Sequence, residues 1–265
     1  MRLENKEKKA ISIIRELGSV EVAFSGGVDS TLVCSLAKEA LGEKAIAVIG
    51  KSQVDPKEEL GAARKIAKEL GIRLLEVDVP IMDKEEFVSN PPDRCYHCKK
   101  ELFSAIAELG MKNGLRAVID GTTVDDLSDV RPGMRAKKEM DVRSPLLEAG
   151  ITKAEVRRLS KQRKLPTWNK PQAACLASRI PYGSRLTNDT LERIAKSERY
   201  LKSLGFVQVR VRAYDDLARI EVEKKQMKNI LADKDKISRQ LKKLGFVYVT
   251  IDIDGYRSGS MNEVL

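Results

Sequence analysis

Short apolar runs alternate with amphipathic segments through the first half of the chain. The apolar runs predict β-strands at residues 20–24, 45–49, 73–77 and 117–120. The segments between them repeat apolar residues at a helical spacing and therefore predict α-helices. Strands that alternate with helices are typical of βαβ units, so the pattern predicts an α/β domain with a parallel sheet.

Two helix starts can be located from side chains that cap the backbone. Asp55 precedes Pro56, which suits a first helical turn, and Glu58 follows three residues after the cap. Thr152 and Glu155 have the spacing of a capping box, in which each side chain accepts a hydrogen bond from the backbone of the other residue. This second box predicts a helix that runs to about residue 164.

A cluster of glycine, proline and asparagine follows, in the sequence PTWNKPQAACLASRIPYGS. Such residues interrupt helices and strands, so we expect a boundary between two domains here. We place a larger α/β domain at residues 1–180 and a small α+β domain, for substrate binding or oligomerisation, at residues 181–265. The small domain is predicted to contain helices at 191–204 and 225–244 and strands at 207–213, 218–222 and 247–252.

The small domain contains a weak internal duplication. KSLGFVQVRVRAYD, residues 202–215, aligns with KKLGFVYVTIDIDG, residues 242–255, at a shift of 40 residues. Each copy places the end of a helix before a strand rich in β-branched residues. Only two copies are visible, so the pattern indicates one duplicated helix–strand unit and not a repeat array.

Composition narrows the class of protein. Of the 265 residues, 42% are hydrophobic and 33% are charged, which is typical of a globular protein. The net charge of +10 favours polyanionic partners such as nucleic acid or phosphate-rich small molecules, although solubilising lysines on helix faces also raise it. No apolar run suits a signal sequence or a membrane span, so we expect a cytoplasmic protein that does not enter a membrane.

The first chemical motif follows the first predicted strand, where VEVAF runs directly into SGGVDS, residues 25–30. Gly26 and Gly27 allow a tight turn that aims backbone N–H groups at an anion, and the N-terminus of the next helix adds partial positive charge. The loop is therefore predicted to hold phosphate oxygens. It lacks the Gly-Lys-Ser/Thr ending of a Walker loop, and the alternative is a generic glycine turn.

Five positions of this loop match a known motif: Ser25, Gly26, Gly27, Asp29 and Ser30. They resemble the loop of the PP-loop ATP pyrophosphatases. The resemblance implies that the loop binds the pyrophosphate of ATP while ATP is cleaved between its α and β phosphates, which leaves an adenylated substrate. Asp29 and Ser30 are the catalytic candidates.

Further contacts to ATP are predicted at the ends of later strands. In open α/β sheets, ligands bind outside the carboxyl ends of the strands, which is where Ser52, Gly121 and Thr122 fall. Mg2+ is expected on the phosphates, because hard divalent ions are held by phosphates and a few carboxylates. Its candidate ligands are Asp29, Asp125 and Asp126.

Three of the four cysteines are candidates for one sulfur or metal site. In a reducing cytosol a CxxC motif indicates metal binding or redox chemistry and not a disulfide. Cys95 and Cys98 form this motif beside basic residues that favour thiolates. Cys175 lies far along the chain, and Cys34 is expected to be buried. Thiolates select zinc or iron–sulfur clusters, so a [4Fe-4S] cluster and a zinc site with His97 are both open.

Five longer segments extend the resemblance: NPPDRCYHCKKELF, DGTTVDDLSDVRPGMRA, RSPLLEAGITKAEVR, LPTWNKPQAACLASRIPYG and GFVQVRVRAYDDLARIEV. They resemble the LarE branch of PP-loop proteins, which are ATP-dependent sulfur transferases. The resemblance implies adenylation of a carboxylate of pyridinium-3,5-dicarboxylate mononucleotide, followed by replacement of its oxygen with sulfur. The products are the thiocarboxylates of the nickel-pincer cofactor.

The family has two branches that differ in the source of the sulfur. In one branch a single cysteine at the position of Cys175 gives up its own sulfur and becomes dehydroalanine. In the other branch three cysteines hold a [4Fe-4S] cluster whose free iron carries sulfide, and Cys95, Cys98 and Cys175 resemble this set. The resemblance therefore implies the cluster branch, with a sulfide donor as a partner.

The same resemblance assigns residues to the substrate. It implies substrate contacts at Ser178, Arg179, Arg210 and Arg212, and acidic metal or substrate contacts at Glu198 and Glu221. Arg210 and Arg212 match an RxR motif that contacts the substrate phosphate in the family. Alternation along a strand puts both arginines on one face, as a phosphate clamp requires.

Two other functions stay open from the sequence. A tRNA thiolase of the same superfamily would explain the positive charge, but aromatic residues make up only 5% of the chain and an appended RNA-binding domain is absent. A nucleotide sensor or iron–sulfur carrier without catalytic activity would keep the same fold. We also expect a homo-oligomer, because the family forms symmetric ones.

Overall fold

The computed structural model describes residues 2–127, 132–171, 174–257 and 259–264. The chain divides into two compact units. The first unit comprises Met1–Ile81 and Asp93–Ala173, and the second comprises Met82–Pro92 and Ala174–Leu265. The domain boundary placed after residue 180 stays a prediction.

The first unit is built on a four-stranded parallel sheet. Its strands are β1 (Val20–Ala23), β2 (Ala45–Lys51), β3 (Arg73–Asp78) and β4 (Ala117–Ile119). They lie in the order β3-β2-β1-β4, and each neighbouring pair is parallel. All four predicted strands are present, which confirms the α/β fold with a parallel sheet.

In chain order the described α-helices are α1 (Leu3–Leu17), α2 (Val28–Leu41), α3 (Lys57–Glu69), α4 (Glu85–Val88), α5 (Arg94–Asn113), α6 (Pro132–Glu139), α7 (Pro145–Glu148), α8 (Lys153–Gln162), α9 (Asn188–Ser203), α10 (Met227–Ala232) and α11 (Lys234–Lys243). Helix α4 and helices α9 to α11 belong to the second unit. None of these described helices is both long and apolar enough to cross a membrane.

Helices cover both faces of the parallel sheet. On one face, Val20 and Val22 of β1 join a core that includes residues of α1, α2, α3 and α8. On the other face, Ile46 and Val48 of β2 pack with Phe103 of α5. Because both faces of β2 are buried, this strand is a nearly continuous apolar run, whereas the edge strand β3 is only half-buried and has charged residues at its ends.

Glu21 is a polar exception in the central strand β1. It is 1% exposed, and a Cβ atom at Gly110 of α5 would lie only 1.7 Å from its Oε1. Within the described part of the chain, that oxygen has no hydrogen-bond partner. Burial raises the pKa of the Glu21 carboxyl to about 7. The residue therefore sits in the fold as an isolated acid beneath a glycine that leaves room for it.

The cap predicted at Asp55 is wrong. Helix α3 begins at Lys57, with Pro56 in the N-cap position and no side-chain capping bond. The Asp55 carboxylate instead accepts a hydrogen bond from Ser52 Oγ at 2.7 Å. A short polar side chain that bonds within its own turn is no longer available to cap a helix.

The second unit contains a three-stranded sheet in the order β5-β6-β7. Its strands are β5 (Val209–Tyr214), β6 (Leu217–Val222) and β7 (Tyr248–Ile251). The pair β5–β6 is antiparallel and the pair β6–β7 is parallel. The helix predicted over residues 225–244 is in fact two helices, α10 and α11, which meet at Asp233. Aspartate competes with helical backbone bonding and favours such ends.

The segment Met82–Pro92 joins the second unit through Asn90. The Asn90 side chain is fully buried, and its amide nitrogen donates to the carbonyls of Pro181 at 2.7 Å and Ser184 at 3.0 Å. Arg185 also forms a bidentate ion pair with Glu85. These contacts explain why eleven residues from the first half of the chain belong to the later unit.

The duplicated segments occupy equivalent places in the second unit. One copy is the end of α9 with β5, and the other is the end of α11 with β7. Gly205 and Gly245 end these helices with φ values of 94° and 101°, a conformation that suits glycine. Phe206 and Phe246 follow, and both are 2% exposed. Strands β5 and β7 flank β6 on opposite sides and run antiparallel to each other.

Candidate active site

The SGGVDS loop lies where the central strand β1 passes into α2. Strands β2 and β4 flank β1, so the carboxyl ends of three strands meet at the loop. The order of strands along the chain changes direction beside β1, and this is the switch point at which open α/β sheets bind ligands. Ser52 follows β2 directly, and Gly121 lies two residues after β4.

The loop is shaped by its glycines and serines. Gly26 has a φ of 67°, and a Cβ atom there would lie 3.1 Å from the Cβ of Ala63 in α3. Gly27 is the N-cap of α2 and has an extended backbone. The hydroxyl groups of Ser25 and Ser30 lie 3.1 Å apart, and Ser30 Oγ donates to Gly27 O at 3.4 Å. The turn therefore presents backbone N–H groups and two hydroxyls at a helix N-terminus, which suits an anion.

Gly121 brings the end of β4 against this loop. A Cβ atom at Gly121 would lie 2.9 Å from both the carbonyl carbon of Asp29 and the backbone nitrogen of Ser30. Real side chains do not approach backbone this closely, so only glycine fits without a shift of the loop. The structure thus brings three of the residues predicted to bind ATP into contact.

A lysine joins two carboxylates at the same end of the sheet. Lys153 Nζ lies 3.6 Å from Asp29 Oδ2 and 3.2 Å from Asp126 Oδ1. Burial raises the pKa of Asp29, and Lys153 opposes the shift. Burial also acts to raise the pKa of Asp126, but hydrogen bonds from Thr123 and the charge of Lys153 outweigh it and leave the pKa below its ordinary value.

The backbone that carries Lys153 is fixed by the predicted capping box. Thr152 Oγ1 accepts from Glu155 N, the Glu155 side chain accepts from Thr152 N, and α8 runs to Gln162. Asp125 adds to this end of α8, because its carboxylate accepts from Lys153 N at 2.7 Å. The capping box is confirmed, and it places a cation beside the loop.

Thr122 belongs to a buried polar network behind the loop. Its hydroxyl donates to Asp120 Oδ2 at 2.7 Å and accepts from Lys137 Nζ at 2.6 Å. Lys137 also lies 3.1 Å from Asp120 Oδ1 and donates to Ser144 Oγ at 2.6 Å. Burial lowers the pKa of Lys137, and Asp120 opposes the shift. The network holds the chain after β4 in place, so Gly121 stays close to the loop.

Lys170 reaches the other side of the loop. Its Nζ donates to Gly26 O at 3.0 Å and to Glu59 Oε2 at 2.7 Å. The Arg157 guanidinium donates to the backbone carbonyls of Trp168 and Lys170 at 3.1 and 3.2 Å. Lys170 therefore links the loop to α3 through its ammonium group, and Arg157 of α8 holds its backbone.

Cys95 and Cys98 lie in the first turn and a half of α5. Residues three apart share one helix face, so the two thiols project to the same side. Cys95 is exposed and Cys98 is half-buried. His97 lies on a different face, and its Nε2 is 3.7 Å from Asp93 Oδ1. This arrangement fits two thiolate ligands from one turn and gives no support to a zinc site that includes His97.

Cys34 is buried in α2, as expected for a structural thiol. Its relative exposure is 0%, and burial raises its pKa far above the ordinary value. A thiol held in the protonated form by its apolar surroundings is unreactive. Cys34 therefore has no place in the sulfur chemistry.

In the second unit, Cys175 is held by its backbone. It is half-buried, and its carbonyl accepts from Ser178 Oγ at 2.8 Å and from Arg179 Nη1 at 3.0 Å. Arg179 is 2% exposed, and its guanidinium forms a bidentate pair with Glu198 at 2.8 and 3.0 Å. The arginine thus links the short helical turn that follows Cys175 to α9.

Arg212 is fully engaged within the second unit. Its guanidinium pairs with Glu221 at 2.8 and 2.7 Å, donates to Ser178 O at 2.8 Å, and donates to Ser260 Oγ at 3.1 Å. Arg212 is 5% exposed and Glu221 is 0% exposed. Arg219, opposite Arg212 in the β5–β6 register, also lies 3.2 Å from Glu221.

The positive charge of Arg210 is compensated less by hydrogen-bonded carboxylates than that of Arg212. It is 7% exposed, its guanidinium lies 5.3 Å from the Tyr256 ring centroid, and Nη1 donates to its neighbour's carbonyl, Val209 O. Burial lowers the pKa of Arg210, and the positive charge of Arg179 lowers it further. We call Arg179, Arg210, Arg212 and Arg219, with Glu198 and Glu221, the arginine cluster. Within it, Arg210 is the cation best placed to gain from an anionic ligand.

No group of three or more histidine, cysteine, aspartate or glutamate side chains is gathered as metal ligands among the residues that the structure describes. The four cysteines form no disulfide there. The segments quoted for the family resemblance include residues 128–131 and 172–173, which lie outside the described residues.

The SGGVDS motif between a strand and a helix, at the switch point of a parallel sheet, has the sequence and the arrangement of a PP-loop nucleotide-binding protein. Comparison with known families agrees, because the family model of NAD synthase matches residues 8–123. This region contains the loop and all four strands of the first unit.

Three relatives extend the similarity over nearly the whole chain. Pyridinium-3,5-bisthiocarboxylic acid mononucleotide synthase of Lactiplantibacillus plantarum is 39% identical over 99% of this chain and 96% of its own. An uncharacterized protein of a Synechocystis species is 42% identical over 99% of both chains. One of Methanocaldococcus jannaschii is 30% identical over 89% of this chain and 90% of its own. The chain therefore belongs to the LarE family of PP-loop ATP-dependent sulfurtransferases.

Sequence reasoning missed three lysines near the loop: Lys137, Lys153 and Lys170. The signal for Lys153 was available, because it follows the N-cap threonine of a recognised capping box and so begins a helix at the carboxyl end of the sheet. Lys137 and Lys170 gave no signal, since each gains its role from partners distant in the chain. Lys153 and Lys170 bring positive charge to a loop that has none in its motif, and Lys137 acts on the chain that follows β4.

Proposed function

We propose that this protein adenylates a carboxylate of pyridinium-3,5-dicarboxylate mononucleotide and then replaces its oxygen with sulfur. The observation that carries the proposal is the similarity to the L. plantarum synthase, which spans 99% of the chain and so includes the loop, the cysteines and the arginine cluster. The geometry of the loop supports the first half of the reaction, and the surroundings of Cys175 support the second.

In the first half, a substrate carboxylate oxygen attacks the α-phosphorus of ATP. The bond between that phosphorus and the oxygen bridging to the β-phosphate breaks, and pyrophosphate leaves. Ser25, Gly26, Gly27 and Ser30 present N–H groups and hydroxyls to the departing charge, with Ser52, Gly121 and Thr122 beside the adenosine. Stabilising charge that develops on a leaving group is the main way in which such a site accelerates a reaction.

Mg2+ fits the donor set at the same place. Asp29 Oδ2 and Asp126 Oδ1 lie 3.6 and 3.2 Å from Lys153 Nζ, so the two carboxylates lie near each other beside the loop. Mg2+ prefers one or two protein carboxylates together with phosphate oxygens, and these two residues are the ones that we assign to it. We assign Asp125 to the helix backbone, since its carboxylate accepts from Lys153 N.

In the second half, a sulfur nucleophile attacks the acyl carbon of the adenylate and AMP leaves. We assign sulfur handling to Cys95, Cys98 and Cys175, as in the three-cysteine branch of the family. A [4Fe-4S] cluster held by these three thiolates would supply a position for a sulfur ligand delivered by a sulfide donor. Because the sulfide then comes from a donor, Cys175 survives each turnover.

The arginine cluster is the proposed site for the substrate phosphate. Arg210 carries the buried charge with least compensation, and Ser178 lies three residues from Cys175. Arg179 and Arg212 act mainly by holding the chain around Cys175 and Ser178 in place. We further propose a cytoplasmic homo-oligomer that acts on a small molecule and not on tRNA.

The first half is tested by Asp29→Ala, with pyrophosphate release measured in the presence of ATP, Mg2+ and the dicarboxylate mononucleotide. We expect release to fall by about 100-fold or more, because charge and metal coordination at the leaving group are lost. Asp78→Ala is the matched control, since it removes a carboxylate at the carboxyl end of β3, which is separated from β1 by β2. Equal activity of Asp29→Ala and wild-type protein would contradict the assignment of the loop.

The second half is tested by mass spectrometry of Cys175 after turnover of anaerobically purified protein with added sulfide. We expect an intact cysteine, several turnovers per chain, and a loss of sulfur transfer in Cys95→Ala with pyrophosphate release retained. A residue lighter by one hydrogen sulfide and a single turnover would show that Cys175 is sacrificial. That result would reject the cluster and leave adenylation in place.

A further inference from the structure

The PP-loop motif contains no lysine, yet two ammonium groups flank the loop. Lys153 lies on the side of Asp29, at 3.6 Å from its carboxylate. Lys170 lies on the side of Gly26, at 3.0 Å from its carbonyl oxygen. Pyrophosphate carries several negative charges, and cations on both sides of the loop would neutralise more of that charge than one alone.

Lys170 is fixed at the loop by its surroundings. The Arg157 guanidinium donates to the backbone carbonyl of Lys170 at 3.2 Å and so holds the main chain. Gly26 packs against Ala63, and Glu59 lies one turn earlier in the same helix. The ammonium group therefore has little freedom to leave the loop, and its acceptors are a carbonyl and a carboxylate.

The carboxylate partner of Lys170 is half-buried. Its side chain is 31% exposed and that of Lys170 is 22% exposed. Their 2.7 Å contact is not a fully buried pair, so either member can change partner without leaving a charge isolated from water. A phosphate oxygen is a stronger acceptor for an ammonium group than a carboxylate is in this setting, because it carries the charge of a polyanion.

We propose that Lys170 is a pyrophosphate-binding residue of the loop, and that Glu59 is the acceptor that it exchanges for a phosphate oxygen. The inference rests on the proposed binding of ATP at this loop and goes beyond it by adding a competing carboxylate. Glu59 competes with pyrophosphate for one cation. It therefore limits how tightly the product is held and favours its release after ATP is cleaved.

The test is isothermal titration of the full chain with Mg2+ and pyrophosphate, ATP or AMP. Lys170→Met should weaken binding of pyrophosphate and ATP by about tenfold or more, because a charge-assisted hydrogen bond is lost. AMP lacks the leaving pyrophosphate, so its binding should change by less than about twofold. Glu59→Gln should bind pyrophosphate more tightly than wild type. Lys170→Arg should keep most of the wild-type affinity that Lys170→Met loses.

Lys6 provides a matched control. Its Nζ donates to a backbone carbonyl, Gly150 O, at 2.7 Å and to a carboxylate, Glu155 Oε2, at 2.8 Å, with 17% side-chain exposure. Lys6→Met therefore loses the same kinds of bonds at the capping box of α8 and not at the SGGVDS loop itself, so it should weaken pyrophosphate binding far less than Lys170→Met does.

Equal losses for AMP and pyrophosphate in Lys170→Met, or no loss in either, would overturn the inference. If Lys170→Met does not fold, Glu59→Gln becomes the test of the inference. Unchanged pyrophosphate affinity in Glu59→Gln would then overturn the inference. Wild-type protein that binds neither ATP nor pyrophosphate would overturn the proposed nucleotide site as well. Wild-type binding that both variants leave unchanged would overturn only the role of Lys170.

Discussion

The SGGVDS loop of the first unit and the arginine cluster of the second unit offer anions two different kinds of site. The loop uses backbone N–H groups, two serine hydroxyls and a helix N-terminus. The arginine cluster uses guanidinium groups, most of which are already paired with buried carboxylates. One site depends on backbone shape, and the other depends on a balance of charges.

This difference determines how each site tolerates change. A glycine loop holds few buried charges, so most of what it needs is space for a tight turn. A buried ion pair contributes little to stability as a pair, because desolvation offsets the attraction between its members. Removal of one member, in contrast, leaves the other as an uncompensated buried charge. We therefore expect added side-chain atoms to disrupt the loop, and removal of one charged partner to disrupt the arginine cluster.

The largest effect is expected at Arg212. Arg212→Met removes the bidentate partner of Glu221, which is 0% exposed, and leaves it the contact from Arg219 at 3.2 Å. The variant should therefore lower the free energy of unfolding by about 3 kcal/mol, the lower end of what the loss of a buried partner costs. Arg210→Met is the matched comparison, since it removes a guanidinium with no bidentate carboxylate and should raise the KM for the mononucleotide with little loss of stability. Urea unfolding and substrate kinetics separate the two outcomes. Equal destabilisation by both variants would contradict the assigned roles.

The loop can be tested by crowding at Gly121. A Cβ atom there would lie 2.9 Å from the backbone of Asp29 and Ser30, so Gly121→Ala should cost about 1 to 3 kcal/mol of ATP binding, or about 10 to 100-fold in affinity. Gly61→Ala in α3 is the control, because no atom lies within 4 Å of its added methyl group. Nucleotide titration of both variants gives the comparison. Unchanged ATP affinity in Gly121→Ala would show that the close approach of Gly121 to the loop does not matter for ATP binding.

The smallest effect concerns Glu21, the buried acid of β1 beneath Gly110 of α5. Its pKa is about 7 in the fold and 4.5 as an ordinary carboxyl, so between these values the folded state holds more protons than the unfolded state. Stability is then greatest below about pH 4.5 and falls as the pH rises toward 7. The shift corresponds to an ionisation cost of about 3 kcal/mol at pH 8, and the buried amide of Glu21→Gln offsets part of the gain from removing it. Glu21→Gln should therefore be more stable than wild type by about 1 to 2 kcal/mol at pH 8 and lose this advantage at pH 5. The melting temperatures of Glu21→Gln and wild type are measured against pH. If the two change in parallel, the prediction is contradicted.

The sequence predicted the parts of the molecule that are local in the chain. The four parallel strands follow from short apolar runs, and the loop follows from a glycine pair between strand and helix. The capping box at Thr152 and Glu155 needs only residues three apart. Such features are determined by neighbours, so a single sequence is enough to locate them.

The remaining features depend on contacts that sequence spacing does not show. The cap predicted at Asp55 failed because Ser52 competes for the same carboxylate. Lys170 reaches Gly26 across 144 positions in the chain, and no pattern near either residue indicates the contact. The alternation rule places Arg210 and Arg212 on one face but cannot show that Glu221, which lies opposite Arg210 in the register, forms its bidentate pair with Arg212.

The duplicated helix–strand unit suggests a history for the arginine cluster. Positions 40 residues apart keep their apolar character on one face of the sheet, since Val209 and Val211 correspond to Val249 and Ile251. On the other face the copies have diverged, with threonine and aspartate at positions 250 and 252 where the first copy has arginines. An ancestral gene duplication would thus have preserved the scaffold under selection for packing. The arginines at positions 210 and 212 would then belong to the first copy alone, on the face where the two copies differ.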